Sequence, residues 1–148
     1  KFSQKDVDEI YQIRHVLEIL ATVNATVLLT DEKEEKMDKL LKDTEVAQAE
    51  GRVRDVIEMS KKFNTMIYEF AEMPRLNSIQ NRLRDYLIRF RDISLLNDDR
   101  RQLAIDEHRQ IFEYMRSGNV EEMQELITEH LYRSKEFISL EIKKEQNE

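Results

Sequence analysis

Two glycines and one proline are spread over 148 residues. A chain so short of turn formers has little of the punctuation that short strands and hairpins need. Apolar residues recur instead at i, i+3, i+4 and i+7 almost from end to end, the spacing that lines one face of an α-helix. The expected fold is all-α, a single domain over residues 1–148. At this length roughly 68–70% of the unfolded chain's surface can be buried, enough for one core. The formal net charge of −7 argues against this chain alone gripping nucleic acid, which calls for a basic patch. Its densest arginine stretch, Arg75 to Arg109, is interleaved with Asp85, Asp92, Asp98, Asp99, Asp106 and Glu107 and reads as a mixed, solvated surface. With no cysteine there is no disulfide or thiol chemistry, which suits a reducing cytosol. No apolar run approaches a membrane span, and Lys1-Phe2-Ser3 does not open like a signal peptide. No membrane partner and a cytoplasmic location are therefore expected, and a start on lysine reads as a fragment or a processed chain.

Taken in order, the periodicity predicts six helices. The first runs from Gln4 to Leu29, capped by Ser3, with Asp6 favoured in its first turn. Its inward stripe is Val7, Ile10, Arg14, Leu17, Ala21, Ala25 and Leu28. Arg14 is a permanent charge on an apolar face. It either snorkels out or pairs with an internal carboxylate, or its planar fork waits for an anion; the residues alone leave both readings open. Thr30-Asp31 ends the first helix and caps the second, with Glu34 completing a capping box. Met37, Leu40, Leu41 and Val46 give it a narrow stripe, which makes it an outer helix ending at Gly51. The third, Val53 to Ala71, turns Val56, Met59, Phe63, Ile67 and Phe70 inward and carries Ser60 and Asn64 one turn apart on a neighbouring face. Pro74 opens the fourth, which runs to Leu96. Leu76, Ile79, Leu83, Leu87, Phe90 and Ile93 face inward there, while Tyr86, Ile88 and Leu95 widen the apolar surface, the mark of a central or interface helix. Asn97 caps the fifth helix and Asn119, with Glu122, the sixth; the tail from Lys143 is expected to fray.

Two of the three histidines sit on apolar stripes of the last two helices. His108 lies among Ala104, Ile111, Phe112 and Met115, and His130 among Met123, Leu126, Ile127, Ser134 and Phe137. Gly118-Asn119 folds these helices back on one another, so both imidazoles point into the bundle from adjacent walls. A buried imidazole needs a partner: a protein oxygen for each ring, or something held between the two. Catalytic patterns are missing. Two glycines cannot build a phosphate loop, no G-x-S-x-G nucleophile elbow occurs, and H-E-x-x-H is absent. Ile105 and Ile127, not glutamates, stand three residues before the histidines, which removes the di-iron carboxylate bundle.

These pieces together resemble the C-terminal effector-binding domain, of FCD type, in GntR-family bacterial transcriptional regulators. The resemblance rests on IYQIRHVLE in the first helix, on KKFNTMIYEF followed by PRL, on DEHRQIFEYMRSGNVEEM, and on His130-Leu131. The interval of 22 residues from His108 to His130 across the turn is its most specific element. It implies an antiparallel bundle of six or seven helices with a central ligand pocket. It implies a homodimer, a small effector that is often a carboxylate, and control of an N-terminal winged helix-turn-helix that this chain lacks, so that DNA is met only through the absent domain. It also implies a divalent metal, zinc or nickel, on four ligands. His108 and His130 match two of these, Asn64 falls where the family places a third histidine, and Ser60 falls where it places an Asp or Asn. Arg14 matches an arginine well placed to meet an anionic effector. A hydroxyl and an amide are poor replacements for zinc ligands. No tightly bound cofactor is therefore expected, only weak divalent metal on His108 and His130. The expected effector-binding set is Arg14, Ser60, Asn64, His108 and His130, with no catalytic residues. Two other readings are a structural dimerisation bundle whose pocket has decayed, and a metal-dependent helical enzyme.

Overall fold

A computed structural model describes residues 2–147. Six helices follow in order: α1 (Gln4–Val27), α2 (Asp31–Ala49), α3 (Val53–Phe70), α4 (Pro74–Ser94), α5 (Asp98–Ser117) and α6 (Val120–Gln146). No strand occurs among the described residues.

Local chemistry sets most of the helix ends. Ser3 Oγ accepts from the Asp6 amide at 3.2 Å while Asp6 Oδ2 accepts from the Ser3 amide at 2.9 Å, a reciprocal box that satisfies two otherwise orphaned donors. Thr30 Oγ1 accepts from the Lys33 amide and Asn97 Oδ1 from the Arg100 amide. Gly51 (φ 72) and Gly118 (φ 74) take the left-handed conformation behind α2 and α5, which a side chain would disfavour. Two expected caps differ. The third position of α2 is Lys33, so Glu34 stands one residue too late to close a box. The Asn119 side chain makes no cap bond; its Nδ2 donates to Ser117 Oγ at 2.8 Å. The tail also stays helical to Gln146, with Ile142 packed into the core and Lys143 and Lys144 in the last turn, where a helix dipole favours cations.

α6 packs along α1, α4 and α5, while α2 packs mainly against α3 and α5 and is the outer helix its narrow stripe implies. Phe63, Phe112, Met37, Leu41, Leu87, Met115, Met123 and Ile138 are almost fully buried between these layers. The spacing placed Val46, Ile79 and Ile93 inward, yet they are 51%, 47% and 40% exposed. Val46 points away from the contacts that α2 makes. Ile79 and Ile93 lie with Tyr86, itself 56% exposed, at intervals of seven along the outer face of α4.

The junction of α4 and α5 is held by one buried arginine. Arg101 donates to Gln48 Oε1 and to the Leu95 and Leu96 carbonyls, and pairs with Asp98. It thus satisfies carbonyls at the end of α4 that a helix terminus leaves open.

Candidate functional site

Four helices leave a cleft of about 640 Å³, mouth included, between them. Ser60, Lys61 and Asn64 border it from α3; Ile88, Arg91 and Asp92 from α4 and Leu95 from its C-cap; Leu103, Glu107 and His108 from α5; His130, Arg133, Phe137 and Ile138 from α6. Four of the five residues singled out from sequence therefore share one wall system: Ser60, Asn64, His108 and His130. Asn64 also borders two smaller hollows of about 350 and 300 Å³, which makes it the common post of all three.

The two imidazoles lie with ring centres 5.5 Å apart. His108 is buried and stacks on Phe63 at 4.4 Å with the planes 20° apart. Burial, then the neighbouring His130 and the Arg91 charge, hold its pKa well below the usual imidazole value, so it stays neutral at pH 7. His130 Nδ1 lies 3.0 Å from Glu107 Oε1. Burial tends to raise the Glu107 pKa, but bonds from His130 and Arg133 outweigh it and keep the carboxylate charged. An ionised carboxylate only accepts, so Nδ1 carries the proton. Glu107 Oε2 takes Arg133 Nε at 3.1 Å and pairs with Arg133 Nη2.

Arg14 stands apart from this lining. Its Nη2 donates to Glu18 Oε1 at 2.7 Å, and its Nε and Nη1 are buried without a partner. Glu18 borders the second hollow together with Asn64 and His130, so the ion pair sits behind the main cleft. Of the two readings open for Arg14, pairing with an internal carboxylate is what its surroundings supply. Arg91 differs from every other cation on the cleft wall, because its side chain makes no hydrogen bond or close ion pair among the described residues, although the Glu18 carboxylate acts on it through space. Burial, then the like charge of Arg14, depress its pKa below the usual guanidinium value against the opposing pull of Tyr11 and the Glu18 carboxylate; an arginine keeps its proton nonetheless.

The donor set does not fit a closed divalent site. Tetrahedral zinc takes four ligands from imidazole, thiolate and carboxylate, and here a hydroxyl and an amide face two imidazoles. No group of three or more His, Cys, Asp or Glu side chains among the described residues could hold a metal ion. No helix among them is long and apolar enough to cross a membrane. Among the described residues, no serine of the cleft hydrogen-bonds to either imidazole.

Sequence reasoning passed over Arg91, Glu107, Arg133 and Glu18. Arg91 carried a readable signal: it sits three residues after Ile88 and four before Leu95, on the second apolar stripe of α4. Glu107 flanks the His108 stripe and had no such mark.

Fold and cleft together define an all-helical domain built around a polar internal cavity and lacking a catalytic pair. Residues 9–133 match the FCD domain family. The chain belongs to that family, the helical domain of GntR-type transcriptional regulators, a regulatory class rather than an enzymatic one. It is 31% identical over 131 residues to the HTH-type transcriptional regulator YdhC of Bacillus subtilis, covering 85% of this chain and 57% of YdhC. It is 32% identical over 73 residues to the HTH-type transcriptional regulator McbR of Escherichia coli, covering 49% of this chain and 33% of McbR. The matches thus span little more than half the length of YdhC and a third of that of McbR. Among solved structures, E. coli McbR superposes with a TM-score of 0.81 at 20% identity, over 95% of this chain and 71% of McbR. Lar, which controls expression of the Listeria monocytogenes agr system, superposes with a TM-score of 0.76 at 14% identity, over 93% and 65%. These two likenesses carry the fold.

Proposed function

We propose that this domain senses a small anionic metabolite, a carboxylate, in the cleft between α3, α4, α5 and α6, and passes its presence to a DNA-binding domain outside this chain. The observation that carries the reading is the cleft itself. It is a polar, partly apolar-walled cavity inside a regulator domain, where Ser60, Asn64, His108 and His130 converge beside Arg91. A guanidinium with no side-chain hydrogen bond has its planar fork to offer an entering anion. Arg14 lies one layer further in and acts with Glu18 to shape the field around it. The domain works as a homodimer through the outer face of α4, and the effector shifts the population of dimer arrangements. DNA is met only through the absent domain, and the protein acts in the cytoplasm.

Thermal unfolding in the presence of a panel of carboxylic acids tests the reading. A ligand that binds only the folded state at a hundred times its Kd stabilises by about 2.7 kcal/mol, a shift of several degrees for a domain of this size. If no acid raises the midpoint, the substitutions at Ser60 and Asn64 mark a pocket that has lost its ligand, and the domain is a dimerisation bundle.

A further inference from the structure

α3 and α4 turn polar stripes toward one another. Lys61, Asn64, Thr65 and Tyr68 follow the helical spacing i, i+3, i+4 and i+7 on α3, and Asn77, Gln80, Asn81, Arg84 and Arg91 recur on one face of α4. Between them lies a hollow of about 300 Å³, mouth included. α5 and α6 contribute no residue to it, so it is a separate space from the cleft, which it meets at Lys61, Asn64 and Arg91. No Val, Ile, Leu, Met or Phe borders the hollow, and among the described residues no Asp or Glu does. Close-packed side chains normally fill the seam between two helices; this seam is open and lined with donors.

Those donors exceed their partners. Lys61 has three ammonium protons and gives two bonds, to Asp92 and Glu58, neither of which borders the hollow. Arg84 has one long bond, 3.4 Å to Thr65 Oγ1, and no ion pair among the described residues. Gln80, Asn81, Leu87 and Ile88 hold the positions three and four residues from it, so no carboxylate stands beside it on α4. The carboxylate that acts on Arg91, Glu18, borders the hollow behind the cleft instead. The amides of Asn64, Asn77 and Asn81 complete the rim. Three cations with no acidic residue in the lining draw in an anion.

One group narrows which anion. Gln80 is 3% exposed, and its Oε1 is buried with no hydrogen-bond partner. A carbonyl oxygen accepts and never donates, so it needs a proton from whatever enters. Carboxylate and sulfate carry none at neutral pH and set a negative oxygen against it. Inorganic phosphate keeps at least one P–OH across the physiological range, together with oxygens for the cations. A phosphomonoester is the poorer fit, because its last proton leaves at about pH 6. The volume lies at the lower end of small-molecule pockets, about 300–1,000 Å³, which suits a single ion.

We propose that the hollow between α3 and α4 is a second ligand site, specific for inorganic phosphate: Lys61, Arg84 and Arg91 hold the anion, and Gln80 Oε1 accepts the hydrogen bond of its hydroxyl. This does not rest on the ligand of the cleft, since Asn77, Gln80, Asn81 and Arg84 border no part of it.

The test is calorimetric titration of the domain with phosphate, sulfate and glycerol phosphate, at pH 7.5 in a buffer free of all three. Phosphate should bind, and the other two should be weaker by about tenfold or more, the equivalent of ~1.4 kcal/mol. Arg84→Ala, at a partly exposed position, should lower phosphate affinity by about tenfold with the unfolding midpoint unchanged. Gln80→Met should weaken phosphate but not sulfate, so that the preference disappears, which loss of packing alone would not produce. Should Gln80→Met fail to fold, Arg84→Ala tests the location and the wild-type ratio of phosphate to sulfate tests the selectivity. No binding of phosphate at millimolar concentration, equal binding of phosphate and sulfate, tighter binding of glycerol phosphate, or a phosphate affinity indifferent to these substitutions would each overturn the assignment. The carboxylate reading of the cleft stands in every one of those cases.

Discussion

Arg14 and Glu18 stand one turn apart on α1 and form an ion pair of 2.7 Å inside the bundle, their side chains only 3% and 12% exposed. Little of either group reaches water, and each is the main counter-charge that keeps the other ionised, with Arg91 adding to the pull on Glu18. Burial raises the Glu18 pKa, but the Arg14 charge and hydrogen bond outweigh it and hold the carboxyl below its usual value of 4.5.

Removing one partner strands the other. Glu18→Gln and Arg14→Leu should each destabilise the domain by about 3–5 kcal/mol, whereas the double variant Arg14→Leu/Glu18→Leu should stay close to wild type or exceed it. Urea unfolding of the four proteins, read as a double-mutant cycle, checks this. Additive losses would mean that the two groups act independently.

The same pair sets an acid limb. A carboxyl whose folded pKa lies below its unfolded one contributes stability that is present above about pH 4.5 and is lost as pH falls through the folded value. Wild type should lose stability in that window more steeply than Glu18→Gln, in which this titration is absent. Unfolding midpoints between pH 3 and pH 7 give the comparison.

Ile79, Tyr86 and Ile93 form an exposed line along α4, and Phe2 packs its ring edge against Tyr86 with centres 5.5 Å apart. If this is the dimer face, Tyr86→Glu or the pair Ile79→Asp/Ile93→Asp should turn a dimer at tens of micromolar into a monomer. Each monomer fold should change by no more than about 0.5 kcal/mol, as expected for exposed positions. Light scattering together with circular dichroism reads both outcomes.

Gly118 turns α5 into α6 at φ 74, and a Cβ there would meet nothing within 4 Å. The penalty of Gly118→Ala is therefore backbone strain alone, about 1–2 kcal/mol, and chemical denaturation should return that value.

Ser60 and Asn64 decide the metal question. Ser60→Asp with Asn64→His supplies the two ligands that the family pattern calls for, beside His108 and His130, and should raise zinc affinity by about a hundredfold or more. Elemental analysis after dialysis against a weak chelator compares the variant with wild type. One equivalent of tightly held zinc in wild type would show that Asn64 or Ser60 ligates after all.

Much of the architecture was legible because the period of 3.6 is nearly unbroken and because Ser3, Thr30 and Asn97 are side chains that cap. Asn119 was misjudged because composition does not show which way an amide turns, and here Ser117 captures it. Val46, Ile79 and Ile93 were assigned inward because spacing tells which residues share a face, not which face meets a neighbour. In the site, His108 and His130 stood out as rings on apolar stripes, and Ser60 and Asn64 through the family resemblance. Arg91 and Glu107 did not, because in a chain that is 37% charged a single charge beside a stripe looks solvated. Only the closing of four helices around it reveals the burial. Arg14 was correctly placed inside, but its partner Glu18 was invisible for the same reason.

α4 turns Ile88, Arg91 and Leu95 to the cleft and Ile79, Tyr86 and Ile93 to the outside. A helix is stiff enough that these two sets cannot be re-aimed separately: a roll that moves Arg91 also moves Tyr86 and Ile93. If the outer face of α4 is the dimer face and the cleft the effector site, occupancy and self-association are reciprocal, each shifting the other by the same factor. A practical consequence concerns dilution. Titrations run at nanomolar and at tens of micromolar protein should report different apparent affinities for one acid, and the acid should shift the monomer–dimer midpoint by a matching ratio.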